Sequence, residues 1–284
     1  MRREKTLGFA LGSGGSRGIA HIGFLQAMEE AGIEPDYIAG CSMGAIVGAV
    51  YAAGKSIDEM QAAAKKLRLL DIIAPTGGKG GLFDTRKIRK LLTSLIGDIK
   101  FSDLKIPFRC IAVDMISQRV IEFSSGNVVD AVIASSCIPT VFRPIEQGNM
   151  RLVDGGVLER VPYARVKKMG ADVVVAVDVL GWRECSEKCP GIIGVMMQTF
   201  DVMDNYRTLR QREEDKDIYD FWLEPDLGTM SQYSLKQMHT AYEKGYEIGK
   251  EYADKIARKA NKKGRDRLHE IVSDIWNAKK KEEE

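Results

Sequence analysis

Short apolar runs alternate with helical patterns along this chain, and the first two runs lead directly into glycine-containing loops. Residues 6–11 and 37–40 are apolar enough to form short buried strands. Each run is followed by glycines and then by apolar residues at helical spacing. Two such strand–loop–helix units predict a parallel sheet with right-handed crossovers. We therefore expect both loops at the edge where the parallel strands end, which is where ligands bind in such sheets.

The later patterns add strands to this sheet and helices around it. Strands are predicted at residues 108–115, 119–123, 143–153 (a hairpin), 171–179 and, at a sheet edge, 218–223. Helices are predicted at residues 56–70, 84–96, 128–135, 163–169, 191–212 and 234–262. The last helix carries three tyrosines that we interpret as packing residues, Tyr242, Tyr246 and Tyr252. No repeat or linker is visible, so residues 1–284 are predicted to form one domain, with residues 191–284 packed on a motif-bearing core at about residues 6–180.

The composition is that of a folded protein with no bias toward nucleic acid. Apolar residues make up 44% and charged residues 29% of the chain, and the net charge is only +2. No apolar run approaches the roughly 20 residues that cross a bilayer. The apolar residues 7–11 behind the basic N-terminus are too few for a signal-peptide core, so a cytoplasmic location is expected. Basic residues on the predicted helix 84–96 indicate either a solvated face or peripheral contact with anionic lipid.

The five cysteines are better explained as reduced thiols than as a disulfide framework, because their number is odd and their spacing irregular. Cys185 and Cys189 have no nearby histidine or further cysteine to complete a zinc site. We interpret them as loop cysteines, and no metal or cofactor is predicted.

Residues 40–44, Gly-Cys-Ser-Met-Gly, lie between the second strand and a helical run of small residues. This order is that of a nucleophile elbow, in which a tight turn raises the Ser42 hydroxyl above the sheet. Gly40 and Gly44 suit such a turn, since there is little room for a Cβ. The alternative is that Ser42 simply caps the following helix.

The first loop, residues 12–18, is rich in glycine and admits three explanations. A dinucleotide loop would need a third glycine at position 17, where the chain has Arg17. A Walker-type phosphate loop would need a Gly-Lys-Ser/Thr ending, which is missing. The third explanation is a nest of backbone N–H groups around Gly14 and Gly15, which would bind either a phosphate or a transient oxyanion.

A serine nucleophile needs a base, and no histidine is suitably placed in the sequence. His21 falls in the first helix, where its ring is expected to pack or to bond the backbone; His239 and His269 follow no strand end. Asp154 stands at a strand end before Gly155 and Gly156, which indicates either a turn residue or a carboxylate aimed at the serine.

Together these segments resemble the patatin-like phospholipases. Residues 11–18 with His21-Ile22-Gly23 resemble the family's glycine-rich motif, residues 40–44 its G-x-S-x-G, and residues 154–156 its D-G-G/A, in the same order. The resemblance implies a Ser42–Asp154 dyad and an oxyanion hole from the amides around Gly14, Gly15 and Ser16, with Arg17 nearby. The chain departs from the family at Ser13, where many members have glycine, and at Glu159 and Val161, which replace an asparagine-rich segment.

We therefore expect an α/β protein, a three-layer α/β/α sandwich with a mainly parallel central sheet, that hydrolyses acyl esters of lipids. The resemblance implies neither a metal nor another cofactor. Two rival hypotheses are an esterase or thioesterase with a histidine-containing triad, and a non-catalytic module that binds an acyl or phosphate group.

Overall fold

The computed structural model describes residues 4–66, 74–75, 81–181, 191–233 and 235–261 of the chain. Within these ranges the strands are β1 (Leu7–Leu11), β2 (Tyr37–Gly40), β3 (Ala74–Pro75), β4 (Phe83–Asp84), β5 (Phe108–Asp114), β6 (Arg119–Phe123), β7 (Ile145–Gln147), β8 (Met150–Asp154), β9 (Val173–Val177) and β10 (Phe221–Leu223). The α-helices are α1 (Ala20–Glu30), α2 (Met43–Ala52), α3 (Ile57–Lys66), α4 (Arg86–Ile96), α5 (Val128–Ser135), α6 (Tyr163–Met169), α7 (Gly191–Glu214) and α8 (Met238–Asn261).

The central sheet has the strand order β10-β9-β1-β2-β5-β8-β7, and β6 pairs with β5. Strands β10, β9, β1, β2 and β5 are parallel, whereas β6, β7 and β8 pair in the antiparallel sense. Helices pack on both faces of this sheet, so the predicted three-layer α/β/α class with a mainly parallel sheet is confirmed. Because β1 and β2 are parallel neighbours, the two glycine-containing loops leave the sheet side by side.

Side chains of the central strands alternate between the two helical layers. Phe9 and its β1 neighbours Leu7 and Leu11 are fully buried against the larger layer, whose core also includes residues of α1, α2, α5 and α8. Ala10 faces the thinner layer, where α6 packs closely. Full burial of a side chain such as Phe9 contributes about 1.5–3 kcal/mol to stability. The strands that carry the loops are therefore rigidly anchored.

Helix α8 packs against α1 at unusually short range. A Cβ on Gly245 would lie 1.9 Å from the carbonyl oxygen of Ala20, and a Cβ on Gly23 would lie 2.0 Å from the carbonyl oxygen of Tyr242. Tyr246 donates a 2.6 Å hydrogen bond to Glu30 at the end of α1. The tyrosines of α8 border the main core, which agrees with their interpretation as packing residues.

Several predicted boundaries shift because tertiary contacts end the elements early. The helix predicted at residues 84–96 begins at Arg86, since Asp84 belongs to β4 and its carboxylate accepts a 2.7 Å bond from the Arg86 amide. The strand predicted at residues 171–179 ends at Val177, because Asp178 turns toward Arg160. The predicted edge strand is confirmed but shorter, at Phe221–Leu223.

Some predictions concern residues that the structure does not describe. Cys185, Cys189 and His269 lie outside the described ranges, as does the end of the helix predicted at residues 56–70. In the described part of the chain, every helix is too short or too polar to span a bilayer. The single-domain organisation stays a prediction.

Candidate active site

Ser42 occupies a strained turn between β2 and α2. Its backbone has φ 54° and ψ −121°, a conformation that costs a non-glycine residue about 1–3 kcal/mol. A Cβ on Gly44 would lie 2.1 Å from the Leu11 carbonyl oxygen, and one on Gly40 would lie 2.5 Å from Cα of Ala45. Both glycines are therefore required by close backbone packing. The Ser42 side chain makes no capping hydrogen bond to α2, so the helix-cap alternative does not account for this residue.

Two serines at the end of α5 hold the strained turn. The Ser42 amide donates a 3.0 Å hydrogen bond to Oγ of Ser135. Oγ of Ser136 donates a 2.8 Å bond to the Val132 carbonyl and lies 3.4 Å from the Ser42 carbonyl. Both serines are buried. Sequence reasoning missed them, although two adjacent serines at the end of an otherwise apolar helix were a visible signal.

Asp154 ends β8 and combines the two roles that its sequence context allowed. One carboxylate oxygen, Oδ1, accepts a 2.8 Å hydrogen bond from the Gly156 amide, as in an ordinary Asx turn, and lies 3.8 Å from the Cys41 thiol. The other, Oδ2, is buried and has no hydrogen-bond partner among the described residues. A Cβ on Gly155 would lie 3.0 Å from Sγ of Cys41, so the chain passes too closely here for a larger residue.

The Asp154 carboxylate is strongly affected by its surroundings. Burial raises its pKa from 3.8 to about 6, while the hydroxyl of Ser42 and the Gly156 amide lower it. Ser42 is therefore close enough to stabilise the ionised carboxylate, yet the contact is looser than a formed hydrogen bond, because Oδ2 is unbonded. Catalytic contacts of this kind are often loose before substrate binds. The structure brings Ser42 and Asp154 together from β2 and β8.

The glycine loop offers two backbone donors beside this pair. In the described part of the chain, the amides of Gly14 and Gly15 have no acceptor, and Gly15 has the positive φ of 51°. The Ser16 amide instead donates a 2.9 Å bond to the carbonyl of Gln232, and the Arg17 amide donates to Gly14. The Ser16 amide was expected to be an oxyanion donor, but in this structure it is bonded to the Gln232 carbonyl instead.

The Arg17 side chain lies beside the glycine loop and is bonded to backbone carbonyls. Its buried guanidinium donates to the carbonyls of Val179 (2.8 Å), Met230 (3.1 Å) and Leu180 (3.3 Å). These bonds tie the glycine loop to the segments after β9 and β10. Arg17 is thus a structural clamp of the loop, because carbonyl oxygens already engage its donors.

The described histidines are not placed as bases for Ser42. His21 is fully buried, its Nε2 donates a 2.8 Å bond to the Gly12 carbonyl, and burial lowers its pKa to about 4. It is consequently neutral and positions the glycine loop, as expected from the sequence. His239 is largely exposed and lies 3.4 Å from Glu243.

Comparison with known proteins decides the family. Residues 9–166 match the model of a family described as patatin-like phospholipase, and this range includes both Ser42 and Asp154. The chain belongs to this family.

Two relatives and one solved structure are similar to this chain. An uncharacterized NTE family protein of Mycobacterium tuberculosis is 38% identical over 175 residues, which cover 61% of this chain and 48% of that protein. A lysophospholipase (NTE1) of Coccidioides immitis is 35% identical over 186 residues, 62% of this chain and 12% of that protein. The chain thus spans about half the length of its mycobacterial relative. VipD from Legionella pneumophila shares the fold, with a TM-score of 0.61 and 13% identity over 90% of this chain and 67% of that chain.

In this patatin-like chain, a buried charge network supports the Asp-Gly-Gly turn. Arg160 is 2% exposed and pairs with Asp178 at 2.6 Å and with Asp204 of α7 at 2.9 Å. Arg207, one turn after Asp204, donates a 2.8 Å bond to the Gly156 carbonyl. Sequence reasoning missed Arg160, Asp204 and Arg207. No local pattern indicates that Arg160 pairs with Asp204 across 44 positions or that Arg207 bonds the Gly156 carbonyl across 51 positions.

The positions at which the chain departs from the family pattern also have defined contacts. The Ser13 amide donates a 2.9 Å bond to the Arg160 carbonyl, and its hydroxyl lies 3.2 Å from where a Cβ on Gly156 would be. Glu159 forms a 2.6 Å ion pair with Arg165. These residues therefore take part in the support of the turn that follows Asp154.

Proposed function

We propose that this protein hydrolyses the carboxylic ester of a phospholipid or lysophospholipid. Ser42 attacks the acyl carbonyl carbon and Asp154 accepts the hydroxyl proton through Oδ2. The amides of Gly14 and Gly15 donate to the oxyanion of the tetrahedral intermediate. As this intermediate collapses, the ester C–O bond breaks and the alcohol leaves with the proton from Asp154. Asp154 then takes a proton from water, which attacks the acyl-enzyme and releases the fatty acid and the Ser42 hydroxyl. The observation that carries the proposal is a serine in a strained turn beside a buried carboxylate whose one unbonded oxygen is available.

The electrostatics of the site suit this chemistry. A carboxylate with a pKa of about 6 is a stronger base than an ordinary aspartate, yet it remains mostly ionised at neutral pH. Ser42 also precedes the first turn of α2, where the positive end of the helix dipole favours negative charge. Loss of a single oxyanion donor raises the activation free energy of an acyl-transfer enzyme by roughly 3–4 kcal/mol. Two free amides would therefore stabilise the transition state substantially.

The lipid class of substrate is supported by the family and by the relatives. The matching family is described as phospholipases, and several fungal relatives are named lysophospholipases. A histidine-based mechanism has no corresponding support, because Nε2 of His21 is engaged by the Gly12 carbonyl and His239 is largely exposed.

Turnover of p-nitrophenyl esters and of lysophosphatidylcholine tests the proposal. Ser42→Ala and Asp154→Asn should each lose at least about a thousandfold in kcat, whereas His239→Ala should match the wild type. A fluorophosphonate should add one adduct, mapped to Ser42 by mass spectrometry. Near-normal turnover in either dyad variant, or an absence of labelling at Ser42, would rule the mechanism out.

A further inference from the structure

In the described part of the chain, exposed apolar side chains occur on α7 and on several loops. Among the described residues, eleven large hydrophobic side chains are at least 37% exposed: Leu82, Met115, Ile116, Ile192, Val195, Met196, Phe200, Val202, Met203, Tyr206 and Tyr233. An apolar surface of this extent marks an interaction site, since isolated exposed residues would be scattered.

Four of these residues come from loops around Ser42. Met115 and Ile116 form the turn after β5, which runs parallel to β2 and ends at the same edge of the sheet. Leu82 donates a backbone hydrogen bond to Thr140, in the segment that follows Ser136. Tyr233 follows Gln232, whose carbonyl is bonded to the glycine loop. The loops at the mouth of the candidate active site thus carry exposed apolar tips.

The other seven residues lie on α7, between Ile192 and Tyr206. Burial in this helix begins at Asn205, next to the Asp204 and Arg207 that support the turn after Asp154. The preceding residues extend the helix for about 20 Å beyond that point, at 1.5 Å per residue. Six of the seven recur at intervals of three and four, from Ile192 to Tyr206, and so form one stripe. This stripe has no partner among the described residues.

The α7 stripe and the loops at the mouth of the candidate active site differ in charge. Residues 191–206 contain no lysine or arginine, so the stripe is apolar rather than basic. Arg119 and Arg143 are exposed and form no ion pair with any residue that the structure describes. Arg143 lies near the loop tip at Leu82, since its amide donates a 3.0 Å bond to the carbonyl of Phe83. Arg119 pairs in register with Asp114 at the end of β5, beside Met115. Apolar side chains for insertion and free guanidinium groups for phosphates therefore border the same opening.

We propose that this face, the α7 stripe with the loop tips at Leu82, Met115 and Ile116, docks on an anionic phospholipid bilayer. The stripe enters the acyl region while Arg119 and Arg143 contact lipid phosphates. The docked mouth then opens directly onto the lipid, which gives the proposed hydrolase access to its substrate. A second copy of the chain fits this face less well, because it would close the mouth of the site to lipid.

Vesicle cosedimentation of the Ser42→Ala protein measures docking without lipid hydrolysis. The vesicles contain phosphatidylcholine alone or mixed equally with phosphatidylglycerol. We expect binding to the mixed vesicles and at least about a tenfold loss in Ile192→Gln/Met203→Gln. Arg119→Gln/Arg143→Gln should weaken binding to mixed vesicles by about fivefold for each arginine. The matched control, Lys255→Gln/Arg258→Gln, removes the same charge at the opposite end of the molecule and should bind normally.

Turnover of a monomeric p-nitrophenyl ester by the same variants with Ser42 intact separates docking from catalysis. Both face variants should keep wild-type turnover of this soluble substrate. The docking proposal is refuted if the protein with an unchanged face binds no vesicles, or if Ile192→Gln/Met203→Gln binds vesicles as well as that protein does. It is also refuted if light scattering shows a dimer that forms through the stripe. If the protein binds vesicles in the expected pattern but does not turn over the ester, the docking proposal stands and only the proposed hydrolysis is wrong.

Discussion

Asp154 should make the protein less stable at neutral pH, because its ionised form is poorly solvated in the folded state. Burial raises its pKa from 3.8 to about 6, a difference of about 2 pH units. At 1.36 kcal/mol per unit, ionised Asp154 lowers the free energy of unfolding by about 3 kcal/mol. The replacement Asp154→Asn removes this penalty, and its Oδ1 still accepts the Gly156 amide.

The effect of Asp154 on the free energy of unfolding should depend on pH. Between pH 4 and 6 the native carboxyl keeps its proton while the unfolded chain releases it, so wild-type stability falls as the pH rises through this interval. Below pH 4 both states are protonated and the penalty disappears. Urea denaturation should therefore show Asp154→Asn to be more stable than the wild type by about 3 kcal/mol at pH 8 and by less than about 1 kcal/mol at pH 4.

Asp178→Asn is the matched control for this measurement. Asp178 is also fully buried and lies near the same turn, but its carboxylate pairs with Arg160 at 2.6 Å. Loss of this charge leaves a buried arginine partly uncompensated and should destabilise the protein by about 3–5 kcal/mol at pH 8. The electrostatic penalty assigned to Asp154 would be refuted if Asp154→Asn were less stable than the wild type at pH 8. It would also be refuted if the difference in the free energy of unfolding were the same at pH 4 and pH 8.

Four further predictions test the site and the packing around it. In wild type, kcat/KM for a soluble ester should fall as the pH drops through about 6, because only ionised Asp154 accepts a proton. Asp204→Asn should move this midpoint to lower pH, since the charge of Asp204 raises the pKa of Asp154; an unmoved midpoint would contradict this. Ser135→Ala should cost about 1–3 kcal/mol of stability in urea and lower kcat, because the Ser42 amide loses its acceptor. Gly245→Ala should lower stability by about 1–3 kcal/mol, as its Cβ would lie 1.9 Å from a carbonyl oxygen of α1, and an unchanged urea midpoint would argue against that close packing.

Features that depend on local spacing were predictable from the sequence. The order of strands, glycine loops and helices predicted the mainly parallel sheet, and α5 matches the predicted range, residues 128–135, because a short apolar run followed by Pro139 admits few alternatives. Gly40 and Gly44 were predictable because a tight strand–turn–helix junction excludes a Cβ for reasons of local geometry. The pairing of Ser42 with Asp154, 112 positions apart, was expected because no histidine is suitably placed, Asp154 stands at a strand end before two glycines, and the three motifs occur in the family's order.

Other features were decided only by the tertiary structure. The bonds of Arg17 to four carbonyls, the pairing of Arg160 with Asp204, and the bond between Ser42 and Ser135 all join residues that are 44 or more positions apart. The spacing of hydrophobic residues indicates which face of a helix or strand is buried. It does not indicate which distant residues pack against that face. For the same reason, the apolar half of α7 was predicted as an ordinary helix, and only the folded arrangement leaves it exposed beside the mouth of the site.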